Sequence, residues 1–190
     1  MRTSAARRAP VRPPAAVSMP PGPAGASRPA RLRAARASDL DRLATFISSY
    51  TADGTLLPRT RPDLERHIGD FRLAIHDGAI VGCGALHPSG VRLAEIRSLA
   101  VDPSWRGLGI GRRIVRALLS EARRRGLARV FCLTRRPGFF EREGFVEVPK
   151  ERFPQKVWND CRLCPRLHCC DEIAMERAIS WFQRQRAPLW

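Results

Sequence analysis

Hydrophobic residues are spaced along this chain in two ways, one typical of strands and one typical of helices. Residues 32–36 predict a first strand. The apolar residues that follow recur at helical spacing up to Gly54, and Ser38 is the expected N-cap of this helix. A second, short helix is predicted to begin near Pro62, because proline is tolerated in the first helical turn. The buried face of the first helix is expected to carry Leu40, Leu43, Phe46 and Ile47.

Three strands of an antiparallel meander are predicted next. Residues 71–75 and 79–86 are apolar runs, and the Asp-Gly pair at 77–78 between them is a strong hairpin signal. The third strand is predicted over residues 94–101, ended by Asp102 and Pro103. Strict alternation would place its side chains on two faces, one with Ile96, Ser98 and Ala100, the other with Arg97, Leu99 and Val101.

The last part of the domain is predicted to alternate between helices and strands. The longest helix follows a glycine-rich turn and ends at Gly126, a natural C-terminal cap. Its buried stripe is expected to hold Ile114, Leu118 and Ala122, with Arg112, Arg113, Arg116 and Arg123 outside. The remaining elements are a strand at 128–133, a helix at 137–142 closed by Gly144, and strands at 145–148 and 170–175. This order favours an α/β (α+β) fold whose mixed central sheet is antiparallel early and parallel around the last crossovers.

Composition limits the chain to one folded domain with a polar leader. The 190 residues carry a formal charge of +16, of which eight positive charges are arginines in residues 1–36. Residues 1–30 are rich in proline and are predicted to be a disordered leader. The folded domain is expected over residues 31–178, including a cysteine-containing segment at 156–176, and residues 179–190 are expected to be a tail. No apolar run is long enough to cross a bilayer.

Three glycines mark the turn between the third meander strand and the longest helix. Gly107, Gly109 and Gly111 let backbone N–H groups converge on an anion at the positive end of the helix dipole. A pyrophosphate fits such a site. The spacing matches neither a P-loop, which continues as Gly-Lys-Ser/Thr, nor the dinucleotide pattern GxGxxG. A glycine-rich turn with only a packing role is the alternative.

Two segments of the chain carry a resemblance to a known family. Arg106-Gly-Leu-Gly109-Ile-Gly111 resembles the acetyl-CoA signature of the GNAT superfamily, Q/R-x-x-G-x-G/A. Phe139-Phe-Glu-Arg-Glu-Gly144-Phe145 resembles its second signature, an aromatic-rich helix that flanks the cofactor arm. The element order over residues 32–148 is also similar. The resemblance implies the GNAT fold and an N-acetyltransferase that uses acetyl-CoA.

The resemblance also implies where acetyl-CoA binds. The predicted strand at 94–101, which is the fourth strand of the chain, is expected to splay from the fifth, at 128–133, beside a bulge. Its free backbone groups would then pair with the pantetheine amides. The cofactor-binding residues implied are Leu99, Ala100, Val101, Arg106, Gly107, Leu108, Gly109, Ile110, Gly111, Arg112, Phe139 and Phe140.

Direct transfer to an amine, without a covalent intermediate, is the mechanism that the resemblance implies. An N–H near Leu99 would polarise the acetyl carbonyl. Glu95 is the proposed base, acting through water, with an ion pair to Arg97 as the alternative. Many GNAT enzymes protonate the thiolate with a tyrosine after the fifth strand. Here Thr134 takes that place, so a hydroxyl or water must substitute, or the thiolate leaves unassisted.

A narrower resemblance concerns the acceptor. The segments Leu56-Leu-Pro-Arg59-Thr, Glu95-Ile-Arg-Ser-Leu-Ala-Val and Lys156-Val-Trp-Asn-Asp-Cys161 are similar to short amino-acid N-acetyltransferases related to N-acetylglutamate synthase, which lack the kinase domain. This resemblance implies acetylation of the α-amine of L-glutamate, the first step of arginine biosynthesis. Arg59, Arg97 and Arg166 are the candidate readers of its carboxylates, because a guanidinium binds a carboxylate through two hydrogen bonds. Regulation by arginine through a kinase domain is not expected.

The cysteines near the C-terminus leave two alternatives open. Reduced thiols are favoured, and a zinc ion on Cys161, Cys164 and Cys170, with His168 as a fourth ligand, is the other reading. Cys83 and Cys132 lie in predicted strands and are expected in the core.

Two further function classes remain as alternatives. One keeps the fold and acetylates a protein N-terminus, a lysine or an aminoglycoside, which an acidic cleft would favour. The other is a basic nucleic-acid-binding protein with a zinc knuckle. The expected partner is a small amino acid in the cytoplasm, with neither nucleic acid nor membrane, and a homodimer stays open.

Overall fold

A seven-stranded mixed sheet organises the part of the chain that the structure, a computed structural model, describes: residues 29–52, 54–154, 156, 161, 164 and 167–179. The strands are β1 (Arg31–Ala34), β2 (Phe71–His76), β3 (Ala79–Gly90), β4 (Leu93–Val101), β5 (Arg129–Thr134), β6 (Val146–Glu147) and β7 (Ile173–Ala178). The α-helices are α1 (Leu40–Ser48), α2 (Arg61–His67), α3 (Ile110–Arg124) and α4 (Pro137–Glu141). The predicted fold class is confirmed. Most of the predicted leader and tail lies outside the described residues, whereas Ala30 and Ile179 are buried against the domain.

The strand order is β1-β2-β3-β4-β5-β7-β6. The predicted antiparallel meander is confirmed for β2, β3 and β4, and β1 is antiparallel to β2. The prediction for the last strands was only partly right, because among the described strands only β4 and β5 are parallel. β7 lies between β5 and β6 and is antiparallel to both. The edge strand β6 therefore precedes β7 in the sequence, and the chain returns after β6 to place β7 between β5 and β6.

The first helix does not start as predicted. A 3-10 turn at Ala37–Asp39 precedes α1, and Ser38 is not its N-cap. The Asp39 carboxylate accepts the Arg36 N–H at 2.8 Å and two hydrogen bonds from the Arg33 guanidinium. This buried carboxylate therefore joins β1 to the start of α1, a role that the local sequence does not signal. The pKa of Asp39 is lowered to about 2, chiefly by the hydrogen bond from Arg33.

A β-bulge interrupts β4 and changes which side chains share a face. Cys83 pairs with Ala100 and Ala85 pairs with Arg97, so Ser98 and Leu99 together lie opposite Gly84. Ser98 has a φ of 52°, in the left-handed region. The predicted alternation is therefore wrong: Ile96 packs under α3, whereas Ala100 packs in the cluster that contains α1. The extra residue reverses the order of faces beyond the bulge.

Beside the bulge, β4 separates from β5. The two strands pair only at Leu93 with Arg129, Ala94 with Val130 and Glu95 with Phe131. β4 then continues to Val101 and β5 to Thr134 with no further register between them. The splay expected from the family resemblance is thus present, and it opens the sheet edge on which the site is built.

Hydrophobic clusters cover both faces of the sheet. One contains the apolar stripe of α3, with Ile114 and Leu118 fully buried against β3 and β4. The other packs α1 and α2 on β2 and β3 through residues such as Leu43, Leu64 and Phe71. No helix in the described part of the chain is both long and apolar enough to cross a membrane.

Gly84 allows α3 to approach β3 closely. A Cβ at this position would lie 2.9 Å from Ile114 Cγ2 and 3.1 Å from Leu99 Cδ1. We predict that Gly84→Ala lowers the free energy of unfolding by about 1–3 kcal/mol, because the buried neighbours must shift to admit the methyl group. Denaturant unfolding measures this loss. Gly69→Ala is the control, since nothing lies within 4 Å of a Cβ there, and an equal effect of the two substitutions would contradict the prediction.

Candidate active site

A cleft of about 1010 Å³ opens where β4 and β5 separate. It is lined by the glycine-rich turn before α3, by the bulged part of β4, by the end of β5 and α4, by the loop after α1 and by the cysteine-containing segment. The splay therefore brings segments from most of the domain to one site.

The glycine-rich turn forms one end of this cleft. Gly107 and Gly109 have φ values of 79° and 75°, a backbone conformation that residues other than glycine rarely adopt. Gly109 is the N-cap of α3, so the first amides of a 15-residue helix face this region. Nothing lies within 4 Å of a Cβ built on Gly107 or Gly109, which leaves room for an anion. A Cβ on Gly111 would contact the Phe139 ring at 3.4 Å, so this glycine lets α4 pack against the turn.

Most residues predicted to bind the cofactor line the cleft. Leu108 does not line it, and its side chain is exposed. Arg106 directs Nε to the Val101 carbonyl at 3.3 Å, which ties the turn to β4. Arg112 is paired with the buried Glu143 at 2.8 Å. The others that line the cleft are Leu99, Ala100, Val101, Gly107, Gly109, Ile110, Gly111, Phe139 and Phe140.

Glu95, the predicted base, forms a buried ion pair. Its Oε1 lies 2.7 Å from Nζ of Lys156, and both side chains are at most 7% exposed. The partner is therefore a lysine of the C-terminal segment, whereas the sequence suggested Arg97 as the alternative. Lys156 was not predicted to act at the site. Its rarity was the available signal, because the chain has only two lysines among 34 basic residues.

Two arginines predicted to bind the carboxylates of the acceptor lie near the same carboxylate of the protein, that of Asp63. Arg59 Nη1 lies 3.9 Å and Arg97 Nη2 lies 3.8 Å from the same oxygen of Asp63, and both arginine side chains are less than 10% exposed. His67 Nδ1 is 3.0 Å from the other oxygen of Asp63. Both arginines line the cleft. Arg166, the third predicted reader, lies outside the described residues.

The end of β5 places Thr134 in the cleft. Its Oγ1 accepts the backbone N–H of Arg136 at 3.0 Å, so its own hydroxyl proton can be donated elsewhere. Thr134 pairs with Ile173 at the start of β7, which brings Glu172 to the same region. Burial raises the pKa of Glu172. Sequence reasoning missed this residue, because its place depends on β7 lying beside β5.

Cys161, Cys164 and Cys170 line the same cleft, and all are free thiols. Within the described residues, no three His, Cys, Asp or Glu side chains are arranged to hold a metal ion. Cys83 and Cys132 are buried in the core, as predicted. Burial raises the pKa of Cys83 to about 12.

Similarity to known proteins identifies the family to which the chain belongs. Residues 38–145 match the model of the acetyltransferase (GNAT) family, a span that covers more than half of the chain. The chain belongs to the GNAT family of acetyltransferases. This membership confirms the prediction of an enzyme that takes its acetyl group from acetyl-CoA.

Relatives within the GNAT family include short proteins of similar length. The chain is 43% identical over 151 residues to an uncharacterised N-acetyltransferase, CT2212, of Chlorobaculum tepidum, covering 78% of this chain and 96% of that protein. It is 40% identical over 135 residues to an amino-acid acetyltransferase of Mycobacterium tuberculosis, covering 69% and 77%.

A solved structure extends this likeness to three dimensions. N-acetylglutamate synthase of Neisseria gonorrhoeae, complexed with coenzyme A and N-acetyl-glutamate, matches with a TM-score of 0.68 and 29% identity. The match covers 79% of this chain but only 35% of that protein. The GNAT chain described here therefore corresponds to one part of the longer synthase.

The buried Glu95–Lys156 pair generates a stability prediction. We expect Lys156→Met to lower the free energy of unfolding by about 3–5 kcal/mol, because it leaves the Glu95 carboxylate buried without this cation. The double variant Glu95→Gln/Lys156→Met should recover much of the loss. Arg61→Met is the control, because Arg61 pairs with Asp41 on the surface and its loss should change stability little. If urea unfolding shows that Lys156→Met and Arg61→Met lower the free energy of unfolding equally, the buried pair is contradicted.

Proposed function

We propose that this enzyme transfers the acetyl group of acetyl-CoA to the α-amine of L-glutamate. The observation that carries the proposal is the pair of buried arginines, Arg59 and Arg97, in the cleft beside the splayed strands. Likeness to an amino-acid acetyltransferase and to an N-acetylglutamate synthase supports the same acceptor.

Acetyl-CoA is proposed to lie along the splay. The pyrophosphate would sit on the amides of Gly107 to Gly111, where the α3 dipole favours an anion. The pantetheine arm would run along β4 from Val101 towards Leu99, because this edge is not paired with β5. Phe139, packed beside Gly111, would flank the cofactor arm.

The charge of the cleft favours an acidic acceptor. Its described lining holds eight basic side chains and three carboxylates. An amino acid with two carboxylates gains from such a surface, whereas a lysine, an aminoglycoside or a cationic N-terminus is repelled by it. Asp63 lies near both Arg59 and Arg97 and carries one negative charge. Both guanidinium groups line the cleft, so they are placed to bind a substrate carboxylate.

Chemistry is proposed to occur at the end of the paired part of β4. The neutral α-amine attacks the acetyl carbonyl, and an N–H near Leu99 stabilises the developing oxyanion. Glu95 receives the amine proton through water, while Lys156 balances the buried charge of this carboxylate. The C–S bond then breaks, and the Thr134 hydroxyl or a water protonates the thiolate of CoA.

A matched pair of glycines tests the cofactor site. Gly109→Val should weaken acetyl-CoA binding by about tenfold or more, roughly 1.4 kcal/mol, because the side chain strains the turn and occupies the space for the anion. Gly78→Val is the control: Gly78 has a φ of 80° and open surroundings, but lies in the β2–β3 hairpin away from the cleft. Calorimetric titration with acetyl-CoA measures both. Equal affinities of the two variants would show that the pyrophosphate site is misplaced.

The acceptor assignment is tested by comparing glutamate with glutamine. We expect Arg59→Ala to lower kcat/KM for glutamate roughly ten- to hundred-fold, the equivalent of about 1.5–3 kcal/mol for a lost charge-assisted hydrogen bond. Arg59→Lys should recover part of the loss, because an ammonium keeps the charge but not the planar fork. Steady-state assays of CoA release provide the measurement.

Arg61→Ala is the control for this experiment, since Arg61 is exposed and does not line the cleft. If the wild-type enzyme acetylates glutamate and glutamine equally well, or if Arg59→Ala slows both equally, then Arg59 does not read the side-chain carboxylate.

A further inference from the structure

Two cysteines of the cleft wall lie close enough to be joined. The Cys164 N–H donates to the Cys161 carbonyl at 2.9 Å. This hydrogen bond between residues three apart belongs to a turn, in which the two Cα atoms are less than about 7 Å apart. A disulfide requires a Cα separation of about 4.4–6.8 Å, so the turn holds the two residues at a suitable distance.

Both thiols can also be reached by a small oxidant. Cys161 and Cys164 are partly exposed and line the open cleft. Cys83 and Cys132 are buried in the core, where small oxidants have no comparable access. The chain therefore contains two inert thiols as internal controls for a reactive pair.

We propose that Cys161 and Cys164 are a dithiol that a peroxide converts to a disulfide. This disulfide restricts the part of the cleft near Glu95, where the proposed function places the acceptor amine. The thiolate of Cys164 displaces hydroxide from hydrogen peroxide and becomes a sulfenic acid. The Cys161 sulfur then attacks the sulfenic sulfur, the S–O bond breaks, and the hydroxyl group leaves with the Cys161 proton as water. Overall, two thiols lose two electrons and two protons, and one peroxide is reduced to two waters. Burial raises the pKa of Cys161, which disfavours its thiolate, so the first attack on peroxide is assigned to Cys164.

The position of the pair explains why the acceptor would be affected. The charge of Lys156 acts on Cys161, and Lys156 is the partner of Glu95. A disulfide shortens the sulfur–sulfur distance to about 2.05 Å and stiffens this wall. Glu95 and Val101 are roughly 20 Å apart along β4, and the Gly107–Gly111 turn follows beyond Val101. Oxidation should therefore raise the KM for the amine while leaving acetyl-CoA affinity unchanged. The disulfide itself forms whichever amine is the substrate.

Tryptic mapping of the full chain tests the linkage directly. Arg162 and Arg166 place the two cysteines on separate peptides, 157–162 and 163–166. After treatment with hydrogen peroxide, these peptides should be recovered joined, two hydrogens lighter than their sum, and dithiothreitol should separate them. Cys169→Ser is the matched control, because Cys169 is exposed but does not line the cleft, and it should behave like the wild type.

Cys161→Ser and Cys164→Ser should each abolish the joined peptide and the change in KM, and persistence of either in these variants would overturn the proposal. Recovery of Cys170 in the disulfide would show that the proposed pair is wrong. Protection of the thiols from alkylation before oxidation, lifted only by a chelator, would show a metal site instead. A joined peptide with an unchanged KM for the amine would refute the effect on the acceptor.

Discussion

The structure depends on one constraint, the incomplete pairing of two parallel strands. β4 and β5 share three register positions and then separate, beside a bulge at Ser98. A continuous ladder would close the sheet and leave no cleft between these strands. Because β4 loses its partner beyond Glu95, its backbone becomes available to a ligand, and the elements on either side of the gap become the walls of a site.

Buried charge is the second organising feature, and it follows from the splay. The open end of the sheet is covered by polar segments, so charged groups lie in a partly desolvated place and need partners. Glu95 has Lys156, and Arg59 and Arg97 have Asp63 between them. These pairs position the polar groups before a substrate arrives. The same arrangement leaves an excess of positive charge, which is what selects an acidic acceptor in the proposed function.

The sequence carried strong signals for some of these features and none for others. Glycines at Gly107 and Gly109 were predictable, because a turn into a helix with positive φ needs them. The bulge was implied only by the family resemblance and its position was not predictable, since serine at position 98 gives no sign of a left-handed conformation. Glu95 could be placed on β4, but its pairing with Lys156 depends on a segment far along the chain. The location of β7 beside β5 was missed for the same reason, because strand order is set by long-range packing.

A crystal structure of the enzyme with coenzyme A and N-acetyl-L-glutamate would test the central claim most directly. We expect the pyrophosphate on the amides of the Gly107–Gly111 turn, the pantetheine in the gap between β4 and β5, and a carboxylate of the amino acid on Arg59 and Arg97. A cofactor bound outside the splay, or a glutamate whose carboxylates contact neither arginine, would contradict it.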